Sequence, residues 1–174
     1  MKILLIGPQG SGKSTQANLL AKDLNLPKIS TGDIFRELAE EESIEGRKIK
    51  GILNSGELID DLQTAKIVEQ RLKKDDCRNG FILDGYPRNT EQKQIFDPKV
   101  DKVFDLEVPD NEVVKRLLAR GREDDTMEAI KKRLDLYHGQ IVPLLDYYKN
   151  QGILIKINGM GSIEEIQRRI RERL

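Results

Sequence analysis

The stretch that most limits what this chain can become is its beginning. The apolar run Ile3–Ile6 ("ILLI") passes directly into "GPQGSGKSTQ". The run is too short for a membrane span or a leader core, and it suits a strand buried on both faces of a parallel sheet. Gly7, Gly12, Lys13 and Ser14 complete the spacing G-x-x-x-x-G-K-[ST]. In such a loop the glycines let backbone N–H groups wrap phosphate oxygens. Lysine reaches the terminal phosphates, and a hydroxyl, here Ser14 or Thr15, faces a magnesium ion. Ala17, Leu20, Ala21 and Leu24 follow at helical spacing. The helix N-terminus therefore adds its partial positive charge to the loop. Strand, phosphate loop and helix in that order commit the chain to α/β architecture.

The remaining pattern extends this reading. Short apolar runs at Lys28–Ser30, Phe81–Asp84, Lys102–Val108 and Ile153–Ile157 predict four further strands separated by helical stretches. The expected fold is a three-layer α/β/α domain around a five-stranded parallel sheet. Ser162 and Glu165 have capping-box spacing and open a last helix with Ile163, Ile166, Ile170 and Leu174 on one face. Two segments break the rhythm. Residues 31–74 carry several helical patterns and no strand, and residues 120–126 ("RGREDDT") are short and very polar. Both are expected above the strand carboxyl ends, where open α/β sheets bind ligands. With 174 residues the chain reads as one domain.

Thirty basic and thirty acidic side chains give no net charge, so no broad attraction to nucleic acid or membrane is expected. Cys77 is the single cysteine, which excludes an internal disulfide and a cysteine-rich zinc site. A soluble, cytoplasmic monomer is expected. Any cationic site must be local. "FILDGYPR" ends an apolar strand in Asp84, suited either to organise magnesium beside the loop or to cap the next turn. Arg88 follows on the same rim, as a bidentate phosphate clamp or a surface ion pair. Arg116 and Arg120 are four apart on one helical face; Arg122, Asp124 and Arg133 follow. A transferring phosphoryl group is a target for such charges, and a solvated face is the alternative.

Four patches together resemble the adenylate kinases, within the nucleoside monophosphate kinases. They are "GPQGSGKSTQ", "STGDIFRE", "GELIDD" with "FILDGYPRNTEQ", and "REDDTMEAIKKRLDLYHGQIVPLLDYY". The resemblance implies transfer of the terminal phosphoryl group of ATP to AMP, giving two ADP, with Mg²⁺ as cofactor. It implies a helical monophosphate-binding insert at 31–74 and a lid at 120–126. ATP would lie against Gly10, Ser11, Gly12, Lys13, Ser14, Thr15, Arg116, Arg120 and Gly161. AMP would lie against Thr31, Gly32, Arg36, Leu58, Ile59, Gly85, Arg88, Gln92, Arg122 and Arg133, with Gln92 reading the adenine edge. Lys13, Arg88, Arg120, Arg122 and Arg133 would serve the transfer. Asp33 and Asp84, with Ser14 or Thr15, would order Mg²⁺ largely through water, and Asp124 would fasten the lid.

The chain departs from the family pattern in three places. Many adenylate kinases carry glycine after the loop lysine, where this chain has Ser14. Seven residues separate Arg116 from Asp124, so the lid is of the short form and has no room for a metal site. "INGMGS" stands where the family places a backbone turn beside the ATP adenine. His138 is expected to pack beside the apolar stripe Ile130, Leu134, Tyr137, Ile141, Leu145 and Tyr148, with a kink at Pro143. A guanine-reading Asn-Lys-x-Asp motif is absent, which argues against a GTPase-type switch. A pyrimidine monophosphate kinase is the alternative enzyme, and a nucleotide-dependent NTPase or binding module is the alternative outside the kinases.

Overall fold

The computed structural model describes residues 1–174. Five strands form one all-parallel sheet: β1 (Lys2–Ile6), β2 (Lys28–Ser30), β3 (Phe81–Asp84), β4 (Lys102–Glu107) and β5 (Leu154–Asn158). Their order across the sheet is β2-β3-β1-β4-β5. β1 sits in the middle, with Lys2 beside Phe81 of β3 and Ile3 beside Lys102 of β4. The order reverses at β1, so a crevice opens beyond its carboxyl end, where the phosphate loop begins.

Eight helices accompany the sheet: α1 (Lys13–Leu24), α2 (Thr31–Ala39), α3 (Ile44–Ser55), α4 (Asp61–Leu72), α5 (Thr90–Ile95), α6 (Asp110–Arg120), α7 (Met127–Asn150) and α8 (Ile163–Arg171). The central strands are mainly apolar because helices cover both faces. Leu4, Ile6, Leu83 and Val103 pack with Ile141, Leu144 and Tyr148 of α7. Ile3, Leu5, Ile82, Phe104 and Leu106 pack with α1 and with Ile166 and Ile170 of α8. Ser162 and Glu165 form the anticipated capping box on α8. Ile163 deviates from the expected stripe and is exposed.

α2, α3 and α4 follow one another with no strand between them. They share a small core of Phe35, Ala39, Ile49 and Ile59, separate from the two layers on the sheet. α7 runs as one helix through Pro143. The last strand face holds one anomaly. Asp105 of β4 is 3% exposed, on the same face as Val103. Its cross-strand neighbour Lys156 pairs at 2.5 Å with Glu107 and leaves it without an ion pair. Burial, reinforced by the Glu107 charge, pushes the Asp105 carboxyl up to about 6.

His138 is not packed. It lies on the outer side of α7, edge-on to Tyr137, with Nε2 3.0 Å from both carboxylate oxygens of Asp110 on α6. Tyr137 belongs to the buried stripe, and the next residue is turned by about 100° about a helix axis, away from it. No helix is long and apolar enough to cross a membrane.

Candidate functional site

The cleft above β1 is built by the turn that launches α1. Gly12 caps this helix in the left-handed region at φ 91°, and no side chain takes the first N–H groups. Six other helices are capped by a side-chain oxygen, from Ser30, Ser43, Asp60, Asn89, Thr126 or Ser162. At α1 the donors point into the cleft, with the helix dipole behind them, as an anion site requires. Lys13 Nζ donates to the carbonyl of Pro8 at 3.1 Å, which lays the ammonium back across the loop. Burial pushes Lys13 down to about 8, against the pull of Asp84, and Arg88, Arg120 and Arg36 push the same way.

Asp84 closes the floor. Its neighbours on β3 are fully apolar, so the carboxylate at the strand end is only 2% exposed. Oδ2 accepts from Ser14 Oγ at 2.5 Å, and Oδ1 is buried with no partner. A buried carboxylate oxygen without a bond is costly unless a cation or water meets it. No group of three or more acidic, histidine or cysteine side chains is placed to hold a metal ion. The donor set is therefore one carboxylate and a hydroxyl. That fits Mg²⁺, which keeps its waters and leans on substrate phosphates rather than on a protein cage.

β3 leads through Gly85 into the Tyr86–Pro87 turn, and this turn joins the floor to α2 and α5. Thr31 Oγ1 donates to the Gly85 carbonyl at 3.0 Å, and Arg88 Nε donates to the same oxygen at 2.9 Å. Gly85 has φ +88°, and a Cβ there would lie 2.7 Å from Thr31 Oγ1. Gln92, 1% exposed, ends this side of the cleft.

The cleft is rich in cations. Lys13, Arg36, Arg88, Arg116, Arg120, Arg122 and Arg133 line the cleft, against the carboxylates of Glu57, Asp84 and Asp124. Four of the arginines are held in place: Arg36 by Asp33 at 2.5 Å, Arg116 by Glu112 at 2.9 Å, Arg120 by Asp125 at 2.6 Å and Arg133 by Asp124 at 2.6 Å. Lys13, Arg88 and Arg122 have no carboxylate within ion-pair distance. Burial and neighbouring like charges push Arg88 and Arg122 down. Three uncompensated cations in one crevice of a chain with no net charge form a polyanion site.

A model of the family described as adenylate kinase matches residues 5–153. The chain belongs to the adenylate kinase family. It is 46% identical to the adenylate kinase of Bifidobacterium longum, over 98% of this chain and 97% of that one. It is 44% identical to the adenylate kinase of Leptospira biflexa, over 95% of each chain. Against adenylate kinase 1 of a Nostoc species it is 41% identical, over 99% of this chain and 98% of that one.

Within this adenylate kinase cleft, Gly10, Gly12, Lys13, Ser14, Thr15, Arg116 and Arg120 lie towards the loop. Thr31, Gly32, Arg36, Leu58, Ile59, Gly85, Arg88, Gln92, Arg122 and Arg133 line the remainder. Three expected residues stand elsewhere. Ser11 is buried beneath the loop, where its carbonyl accepts from Arg116 Nη1 at 3.4 Å. Gly161 does not line the cleft; in its turn Arg169 donates to the carbonyls of Asn158 at 2.8 Å and Met160 at 2.5 Å. Within this turn the Gly159 carbonyl meets a site arginine, accepting from Arg116 Nη2 at 3.2 Å.

Asp33 is also outside the cleft lining. Its carboxylate is shared between Lys28 at 3.0 Å and Arg36. Burial alone would raise it, but the bonds from Arg36 and Lys28 outweigh burial and hold it at about 2. The sequence reading missed Asp125. This carboxylate, with no exposed side chain, grips Arg120 through two bonds of 2.8 and 2.6 Å and accepts from the Arg122 N–H at 3.3 Å. It also missed Asp61 and Asn89, which bond Gln92, and Gln140, whose amide oxygen lies 3.5 Å from Asn89 Nδ2. Asp60 already caps α4, so the second aspartate of "IDD" is not needed as the cap, and that was the one available signal.

Proposed function

We propose that this chain catalyses reversible transfer of the terminal phosphoryl group of ATP to AMP, giving two ADP. The observation that carries the proposal is the continuous cationic cleft. It runs from the uncapped N-terminus of α1 to Gln92, with Lys13, Arg88 and Arg122 unpaired between them. One phosphate chain needs only the loop. Further arginines in the same cleft, beyond the loop, suit an acceptor that is itself a phosphate.

Such an acceptor is already nucleophilic and calls for no general base, so positioning and charge neutralisation supply the catalysis. The loop N–H groups and Lys13 would hold the ATP phosphates, with Arg116 and Arg120 beside them. Arg36 and Arg88 would hold the AMP phosphate, and Arg122 and Arg133 would meet the charge that spreads over the transferring group. Thr31, Leu58, Ile59 and Gly85 would flank the adenine, and Gln92 would bond its edge. Mg²⁺, when bound, neutralises charge on the ATP phosphates. Asp84 and the Ser14 hydroxyl would hold it, largely through water. α2–α4 would act as the monophosphate-binding insert, and residues 120–126 as a short lid anchored through Asp124 and Asp125.

The test is direct. Purified protein incubated with Mg-ATP and, in turn, AMP, CMP, UMP and GMP should form ADP fastest from AMP. Faster turnover of UMP or CMP would reassign it to the pyrimidine monophosphate kinases. Hydrolysis of ATP with no acceptor phosphorylated would make it an NTPase.

A further inference from the structure

Gln92 is held by two partners of opposite and fixed polarity. Its Nε2 donates to Asp61 Oδ1 at 2.8 Å, and its Oε1 accepts from the backbone N–H of Arg88 at 2.8 Å. An ionised carboxylate only accepts and a peptide N–H only donates. Turning the amide over would set its hydrogens against the Arg88 N–H and its oxygen against a carboxylate. A side chain whose two ends are alike in shape thus has one permitted orientation.

Asp61 is itself fixed from a second side. Asn89 Nδ2 donates to both of its oxygens, at 3.3 and 3.2 Å, while Asn89 Oδ1 accepts from the Gln92 backbone N–H at 2.7 Å. Asp61 is not among the residues that line the cleft; it backs the one that does. Its carboxylate is not spent on capping α4, since Asp60 accepts from Gln63 N there at 3.0 Å.

With these bonds made, Gln92 keeps one N–H and one oxygen lone pair, in a set order. The bases fall into two classes by the same edge. Adenine and cytosine present an amino donor beside a ring-nitrogen acceptor. Hypoxanthine, guanine and uracil present an oxo acceptor beside a ring N–H donor. A freely turning amide matches either class, and an amide locked in one orientation matches only one. We infer that Asp61 is a positioning residue for base choice: by locking the Gln92 amide, it selects amino-bearing bases over their oxo counterparts. The inference rests on the activity proposed above and adds the residue that decides between bases.

AMP and inosine monophosphate differ only at this edge, so the ratio of their kcat/KM values isolates the effect. The unaltered protein should favour AMP. Asp61→Asn replaces an acceptor-only group with an amide that both donates and accepts, and so leaves the Arg88 N–H as the one remaining lock on the Gln92 orientation. The AMP preference should fall by about tenfold, a small part of the 10⁴–10⁵ that a hydrogen-bonding site can impose. Asp61→Glu keeps an acceptor-only group and should retain most of the preference. A purely structural role for Asp61 would lower both nucleotides together and leave the ratio where it was; that result, or equal ratios for the Asn and Glu variants, overturns the inference. Equal use of AMP and inosine monophosphate by the unaltered protein overturns it while the kinase activity stands. Failure to phosphorylate AMP at all removes the proposed function, and the inference with it. Circular dichroism checks the fold of each variant, and Asp61→Ser, whose hydroxyl also donates and accepts, repeats the comparison if Asp61→Asn does not fold.

Discussion

Asp105 offers a measurement of what a lone carboxylate costs in the middle of this sheet. It is 3% exposed, and the ammonium nearest to it in register, Lys156, is bonded to Glu107. Its carboxyl stands at about 6, against 3.8 for the free side chain. For an acid raised on folding, the native state binds the extra proton. Stability is therefore fully present below the unfolded value and is lost as pH rises through the folded one. A shift of this size costs about 3 kcal/mol once both states are ionised, near neutral pH. Asp105→Asn removes the ionisation while keeping the shape, so it should stabilise the protein by up to about 3 kcal/mol at about pH 7.5. The gain should shrink to about 1.5 kcal/mol at about pH 5 and to under about 1 kcal/mol at about pH 4. In a domain of this length the neutral-pH gain corresponds to roughly 6–12 °C in Tm. Urea unfolding of both proteins across that pH range is the assay. A stability difference that does not change with pH would refute the reasoning, because it would mean that Asp105 ionises in the fold as freely as in the unfolded chain.

Other perturbations act on the cleft. Lys13→Met should leave the fold intact and lower turnover by at least about 10²–10³, the scale of a lost charge-stabilising donor. In the unaltered enzyme kcat/KM for Mg-ATP should decline above about pH 8 as Lys13 loses its proton, since that ratio reports the free enzyme; a profile flat through pH 9 would contradict the assignment. Gly85→Ala forces a Cβ against Thr31 at a positive φ, and should cost about 1–3 kcal/mol of stability with a raised KM for AMP, read by thermal melts and steady-state kinetics. A bisubstrate mimic of two adenosines joined through five phosphates should slow hydrogen exchange in residues 120–126 and in α2–α4 together; binding without slowing in 120–126 would remove the lid role and return Arg122 to solvent.

The parts of this molecule that were legible in its sequence rest on local rules. "ILLI", "FILD" and "KVFDLE" read as strands because helices bury both faces of each, and a short, mainly apolar run has few other uses. The phosphate loop and the α8 capping box depend on spacing within a few residues. What was not legible depends on partners far along the chain or across a turn. His138 follows a core tyrosine, and only the approach of α6 supplies Asp110 as its neighbour. Asp124 and Asp125 are adjacent, yet they divide Arg133 and Arg120 between them, a choice made by how α7 leaves the connector. Asp33 sits in a motif suited to magnesium, but Lys28 at the start of β2 and Arg36 one turn along α2 take its charge. The Asp61–Gln92 bond spans 31 residues with no periodic signal.

The central place of β1 has a consequence for how the protein is made. Its hydrogen-bonding partners are β3 and β4, so Lys2 waits for Phe81 and Ile3 waits for Lys102. During synthesis the first strand leaves the ribosome long before either neighbour exists, and its apolar residues have no sheet to join. The phosphate loop, whose shape depends on β1 and on the Asp84 carboxylate, therefore cannot acquire nucleotide affinity until roughly the first hundred residues have emerged. Pairings this distant carry a large loop-closure entropy and slow the search for the native register. Throughout that interval "ILLI" is an exposed, uncharged β-forming segment, the kind that chaperones shield and that aggregates otherwise.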